Sequence, residues 1–98
     1  MKLKNFQMLR KERSSNGRQA VLDFGDYHLS IINDGYGSAD GLYEIGVFNA
    51  CDGVARDMTE LPGITAEGDS VKGNLTEADI DAIIKKMFTI TGTEPRQV

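Results

Sequence analysis

The sequence predicts an α+β domain: an antiparallel sheet of four to five strands arranged as a meander, with one C-terminal amphipathic helix packed on one face. Three observations carry that prediction. Short runs of alternating apolar and polar residues recur between positions 18 and 58, Gly-X and Asn-Gly pairs punctuate them, and a run with helical spacing follows Thr76. With 98 residues the chain has room for a single domain, spanning 1–98.

Residues 1–18 read either as a basic N-terminal arm or as the first hairpin strand. The pair Asn16-Gly17 after "FQMLRKE" is a strong two-residue hairpin signal and favours a strand. Leu3, Phe6 and Leu9 recur every three residues, which suits a short basic helix instead. Both readings stand for residues 3–12.

Antiparallel strands are expected across residues 19–58. "RQAVLDF" and "YHLSIIN" flank Gly25-Asp26, a Gly-X pair suited to a two-residue hairpin loop. That loop sets Phe24 against Tyr27, Leu22 against Leu29 and Ala20 against Ile31, with all six on one face. Val21, Asp23, His28 and Ser30 then take the other face, and a slip of one residue would exchange the two sets. "LYEIGVF" supplies a third strand with Tyr43, Ile45 and Val47 inward, and "GVARDM" a fourth after the turn "NACDG".

Residues 59–75 read as a loop, with Pro62, Gly63, Gly68 and Gly73, although Val71 has the character of one last edge residue. The segment exceeds the usual connection of about 4–6 residues, and loops of such length are often functional. The helix is expected over 76–91. Thr76 is its N-cap with Asp79 in the capping-box position, and Leu75 with Ile80 fits a hydrophobic staple. Glu77, Asp79 and Asp81 open the helix and Lys85 and Lys86 lie further along, matching its dipole. Ile80, Ile83, Ile84 and Met87 form the apolar stripe, and Gly92 closes the helix. The tail, 92–98, is expected to fray.

Charge is unevenly spread. Residues 1–18 carry six basic side chains against one acidic, a net of +5, whereas residues 19–98 carry five against fourteen, a net of −9. A basic segment on an acidic body hints at a charged partner. The plainer reading is that the segment folds onto the body and balances it. A single cysteine, Cys51, rules out an internal disulfide and favours a reducing cytosol. No apolar run approaches a membrane span and no signal-peptide pattern opens the chain, so a cytoplasmic location without membrane contact is expected.

The stretch "DGYGSADGLYE", residues 34–44, invites a phosphate or calcium reading and supports neither. Its glycines follow G-x-G-x-x-x-G, a strand-like run stands where a helix should begin, and Asp34 and Asp40 would repel an anion. Counted back from Glu44, Gly35 and Gly37 occupy positions where an EF-hand needs oxygen ligands. A wide hairpin connection remains, with Tyr36 as a candidate contact anchor. Catalysis is not expected. His28 and Cys51 lack partners that the spacing would bring to them, and the numerous carboxylates single out no acid/base pair. No metal site and no cofactor are expected.

At "DGYGSADGLYEIGVFN", followed by "RDMTELPGI", "GDSVKGNLT" and "DIDAIIKKM", the chain resembles small accessory proteins of unassigned role encoded by bacteriophages and prophages. The resemblance covers roughly residues 27–90. It implies a small product acting in the host cell cytosol, of the anti-defence or host-takeover type, that binds and blocks a host protein such as restriction or CRISPR machinery. It supplies no catalytic motif, and the basic N-terminal segment lies outside it.

The resulting expectation is a non-enzymatic protein that blocks or modulates a host protein through an acidic surface. Tyr36 would anchor the partner. Asp34, Asp40 and Glu44 would form one part of the rim, and Asp52, Asp57, Glu60, Glu67 and Asp69 the other. The alternative is a nucleic-acid-binding accessory protein using Lys2, Lys4, Arg10, Lys11 and Arg13 on phosphates. Monomer and homodimer are both compatible with the sequence, because a meander leaves edge strands.

Overall fold

The computed structural model describes residues 1–11, 17–35 and 41–98. Among them lie seven strands: β1 (Leu9–Arg10), β2 (Arg18–Asp23), β3 (Tyr27–Ile32), β4 (Tyr43–Cys51), β5 (Val54–Met58), β6 (Val71–Leu75) and β7 (Arg96–Gln97). A 3-10 turn covers Leu3–Asn5 and the helix, α1, runs Glu77–Thr91. The sheet is antiparallel, with β1 to β5 as a meander, β6 added to β4 and β7 to β2. The expected α+β architecture is therefore present.

The β2–β3 hairpin has the predicted register, with Ala20 opposite Ile31 and Leu22 opposite Leu29. Gly25 allows it by adopting φ +89°, and Asp23 Oδ1 accepts a 2.7 Å bond from its N–H. One face of the sheet is thereby apolar. Leu22, Phe24, Leu29, Ile31, Ile45 and Val47 are at most 1% exposed and share one cluster with Ile80, Ile84 and Met87 of α1. Each such burial stabilises by about 1.5–3 kcal/mol, so this layer is the principal source of stability.

The ends of α1 are closed as the sequence predicts. Thr76 Oγ1 accepts from the Asp79 N–H at 3.1 Å while Asp79 Oδ2 accepts from the Thr76 N–H at 2.9 Å. Gly92, at φ +67°, donates its N–H to the Phe88 carbonyl at 2.8 Å. The Thr76 N–H, followed by the Thr76 side chain, holds the Asp79 carboxyl below its ordinary pKa, with Lys72 adding to the effect against a desolvation penalty.

Two expectations need correction, and a third holds over fewer residues than expected. The tail does not fray: β7 pairs with β2 through Leu22–Gln97 and Asp23–Arg96, and the Val98 N–H donates to Val21 O at 2.9 Å. β1 covers only the first residues of β2, and the tail occupies the backbone groups left along that edge. At the N-terminus the first-strand reading is present in short form, since β1 pairs with β2 through Leu9–Gln19 and Arg10–Arg18, and a 3-10 turn at Leu3–Asn5 precedes it. Leu3 is 3% exposed and donates its N–H to Asp81 Oδ1 at 2.7 Å, while Phe6 and Met8 pack against the core. Lastly, the segment 59–75 is loop only as far as Ser70, because β6 takes up residues 71–75.

Candidate partner-binding surface

β5 and β6 lie end to end along the same edge of β4. Met58 stands opposite Phe48, Val71 stands opposite Gly46, and Val47 falls between them. The Thr59 N–H donates to Val47 O at 3.0 Å, and Val47 N–H donates to Ser70 O at 2.9 Å. Those are the two bonds that a single strand residue facing Val47 would make. Residues 59–70 therefore leave and rejoin the sheet at one point, which makes them an Ω-loop.

The loop is held from within. Leu61 and Ile64 reach the core at 6% and 3% exposure. The buried Thr65 hydroxyl accepts from the Leu61 N–H at 2.8 Å, and Glu60 Oε2 accepts from the Gly68 N–H at 2.8 Å. Gly63 and Gly68 take positive φ values of 92° and 82°, turning the chain back on itself. Leu61 and Ile64 thus face inward and the loop's acids face water. Glu60, Glu67 and Asp69 are exposed, and Glu60 and Glu67 border an open depression of about 620 Å³ with Pro62, Gly63 and Thr65. Asp57 on β5 and Asp52 in the β4–β5 turn, with φ +52°, are exposed on the same edge strand or at its end. Between residues 52 and 70, five acids face one cation, Arg56, a net of −4 that equals the formal charge of the whole chain.

The predicted acidic rim is therefore divided. Asp52, Asp57, Glu60, Glu67 and Asp69 belong to the β5 edge and the Ω-loop. Asp34 and Glu44 lie at the β3–β4 connection, and Glu44 is seven residues along β4 from Cys51, about 23 Å at the rise of an extended strand. Asp34 is committed to Lys11, with Oδ1 2.8 Å from Nζ. Tyr36 and Asp40 lie outside the described residues, as does Arg13. Of the other predicted cations, Lys2, Lys4 and Arg10 are exposed. The Lys11–Asp34 pair is one point at which the basic segment balances the acidic body.

The two candidate nucleophile and base positions are not brought together. Cys51 is exposed at the end of β4, with its thiol 3.7 Å from Asp52 Oδ2. His28 is 2% exposed, and its Nε2, 3.6 Å from Asp23 Oδ1, has no hydrogen-bond partner among the described residues. The alternation pattern placed His28 beside Asp23 on the sheet's other face but gave no sign of this burial. Arg96, on β7, brings its guanidinium within 3.8 Å of the same carboxylate. No cluster of three His, Cys, Asp or Glu side chains suited to a metal occurs among the described residues. Nor is any helix among them long and apolar enough to cross a membrane. Comparison with protein-family models, curated proteins and solved structures returns no match.

Proposed function

We propose that this chain is a non-enzymatic binding protein of the small phage accessory type, which blocks or modulates a host protein by presenting an acidic surface. A nucleic-acid-handling defence complex is the class of target with the matching basic surface. The observation that supports this reading is the Ω-loop: a rigidly anchored projection whose outward side chains include Glu60, Glu67 and Asp69, beside an edge strand bearing Asp57. Fixing the acids on an anchored loop lowers the entropy lost on association, and complementary charge speeds encounter and selects the partner.

Immobilised protein incubated with bacterial lysate and analysed by mass spectrometry is expected to retain a specific host protein. A Glu67→Lys, Asp69→Lys variant with an unchanged melting temperature should lose it. Recovery of no protein, or equal recovery by the variant, would sink the proposal. Retention of nucleic acid instead, released by salt and abolished by replacing Lys2, Lys4 and Arg10 with alanine, would favour the nucleic-acid alternative.

A further inference from the structure

The two edges of the sheet are finished differently. Along β2 both ends of the chain close the edge: β1 pairs with Arg18 and Gln19, and β7 pairs with Leu22 and Asp23. The Gln97 side chain ties these two segments together, accepting from the Gln7 N–H at 2.8 Å and donating to the Gln7 carbonyl. Along β5 no strand lies on the outer side among the described residues, and all five of its residues are exposed. The hydrogen bonds identify what that edge presents. Ala55 stands opposite Ala50, whose N–H is given to Asp26 O at 2.9 Å, on the other side of β4. Met58 stands opposite Phe48, and the bond joining the strands there runs from the Thr59 N–H to Val47 O. Both pairs are therefore of the non-hydrogen-bonded kind, in which each residue turns its N–H and C=O away from its partner. Ala55 and Met58 thus hold their backbone groups outward, where another strand can pair with them.

The same edge restricts which strand it admits. Between the two pairs β4 has Asn49 alone whereas β5 has Arg56 and Asp57, a bulge that bends the edge. Bulges and charges on an edge keep out uncharged strands and further copies of the same chain. Asp52 and Asp57 lie along this one, and Glu60, Glu67 and Asp69 follow in the Ω-loop, so an approaching segment meets net negative charge. We infer that the outer edge of β5 is a strand-addition site, and that it takes an extended, Lys- or Arg-bearing segment of the partner protein, paired through Ala55 and Met58 and matched in charge to Asp57. This rests on the binding-protein reading and names how the partner attaches. A second copy is disfavoured as the occupant, because edge-to-edge pairing would bring the acids of both β5 strands together.

The test is amide hydrogen exchange, followed by NMR on the isotopically labelled chain alone and with acetyl-Lys-Val-Lys-Val-Lys-amide or its Glu-for-Lys counterpart. In the free protein the Ala55 and Met58 amides are expected to exchange rapidly, while that of Thr59 is protected. The Lys peptide should slow Ala55 and Met58 saturably, by about tenfold, and leave the β2 amides unchanged, whereas the Glu peptide should slow neither. Ala55→Pro removes an outward donor and no bond to β4, so with its spectrum reporting retained folding it should lose the response at Met58. Asp57→Lys, which leaves the backbone groups in place, should weaken the effect of the Lys peptide. The inference is overturned if Ala55 and Met58 are already protected in the free monomer, if they are not slowed by the Lys peptide, if both peptides act alike, or if either folded variant responds undiminished. A dimer in sedimentation that Ala55→Pro dissociates would overturn it as well, assigning the edge to a second copy. Failure of the exchange test while Glu67 and Asp69 still govern capture of a host protein would remove strand addition and leave the proposed function standing.

Discussion

The two faces of the sheet are built from the same strands and have opposite characters. Under α1, Leu29, Ile31, Ile45 and Val47 are essentially inaccessible, and each is opposed by another apolar residue. On the far face the rows mix Ser30, Gly46, Phe48 and Met58 with His28, a buried side chain whose Nε2 has no hydrogen-bond partner among the described residues. The covered face is composed for stability. The open face forgoes part of that gain, leaving Met58 46% and Val71 43% exposed.

The largest effect separating the faces should come from Ile84→Ala, beneath the sheet: a loss of about 2–5 kcal/mol in urea unfolding, since the cavity left behind adds to the lost transfer energy. An equal cost for Met58→Ser would erase the distinction between the faces. At the end of the covering helix, Thr76→Ala should cost about 1 kcal/mol, measured in the same way. The partner carboxylate adds a pH signature. Because the folded protein holds the Asp79 carboxyl below its ordinary pKa, its contribution is present above the unfolded-state value and disappears as pH falls through the folded one. The stability difference between the wild type and Asp79→Asn should therefore shrink on acidification, and a difference that grew there would contradict the capping box. The smallest effect is expected on the open face, where Met58→Ser should change stability by no more than about 0.5 kcal/mol.

The covered face was legible in the sequence because its causes are local. Gly25 fixes a two-residue loop, the loop fixes the pairing of Leu22 with Leu29, and alternation does the rest. The capping box at Thr76 and the closing Gly92 are equally short-range. What escaped was held by distant partners. Gln97 pairs with Leu22 and exchanges side-chain bonds with the Gln7 backbone, ninety positions away, so a terminal "PRQV" that looks unstructured becomes a strand. The candidate site was only half legible for a related reason. Composition identified the acids, but which of them share an edge depends on β6 rejoining β4 beside β5, and nothing in "GDSVKG" specifies that pairing.

The double attachment at Val47 bears on how this fold can change over time. In the β2–β3 hairpin, adding one residue would slide a strand and reverse its faces. In the Ω-loop, Thr59 and Ser70 divide the hydrogen bonds of a single strand position between them, so the number of residues separating them has no bearing on register. Outside Leu61 and Ile64, which the core retains, the stretch from Ala66 to Asp69 can lengthen, shorten or exchange its charges while every strand stays where it is. The molecule thus carries Glu67 and Asp69 at a point where new sequence can be admitted with little structural consequence.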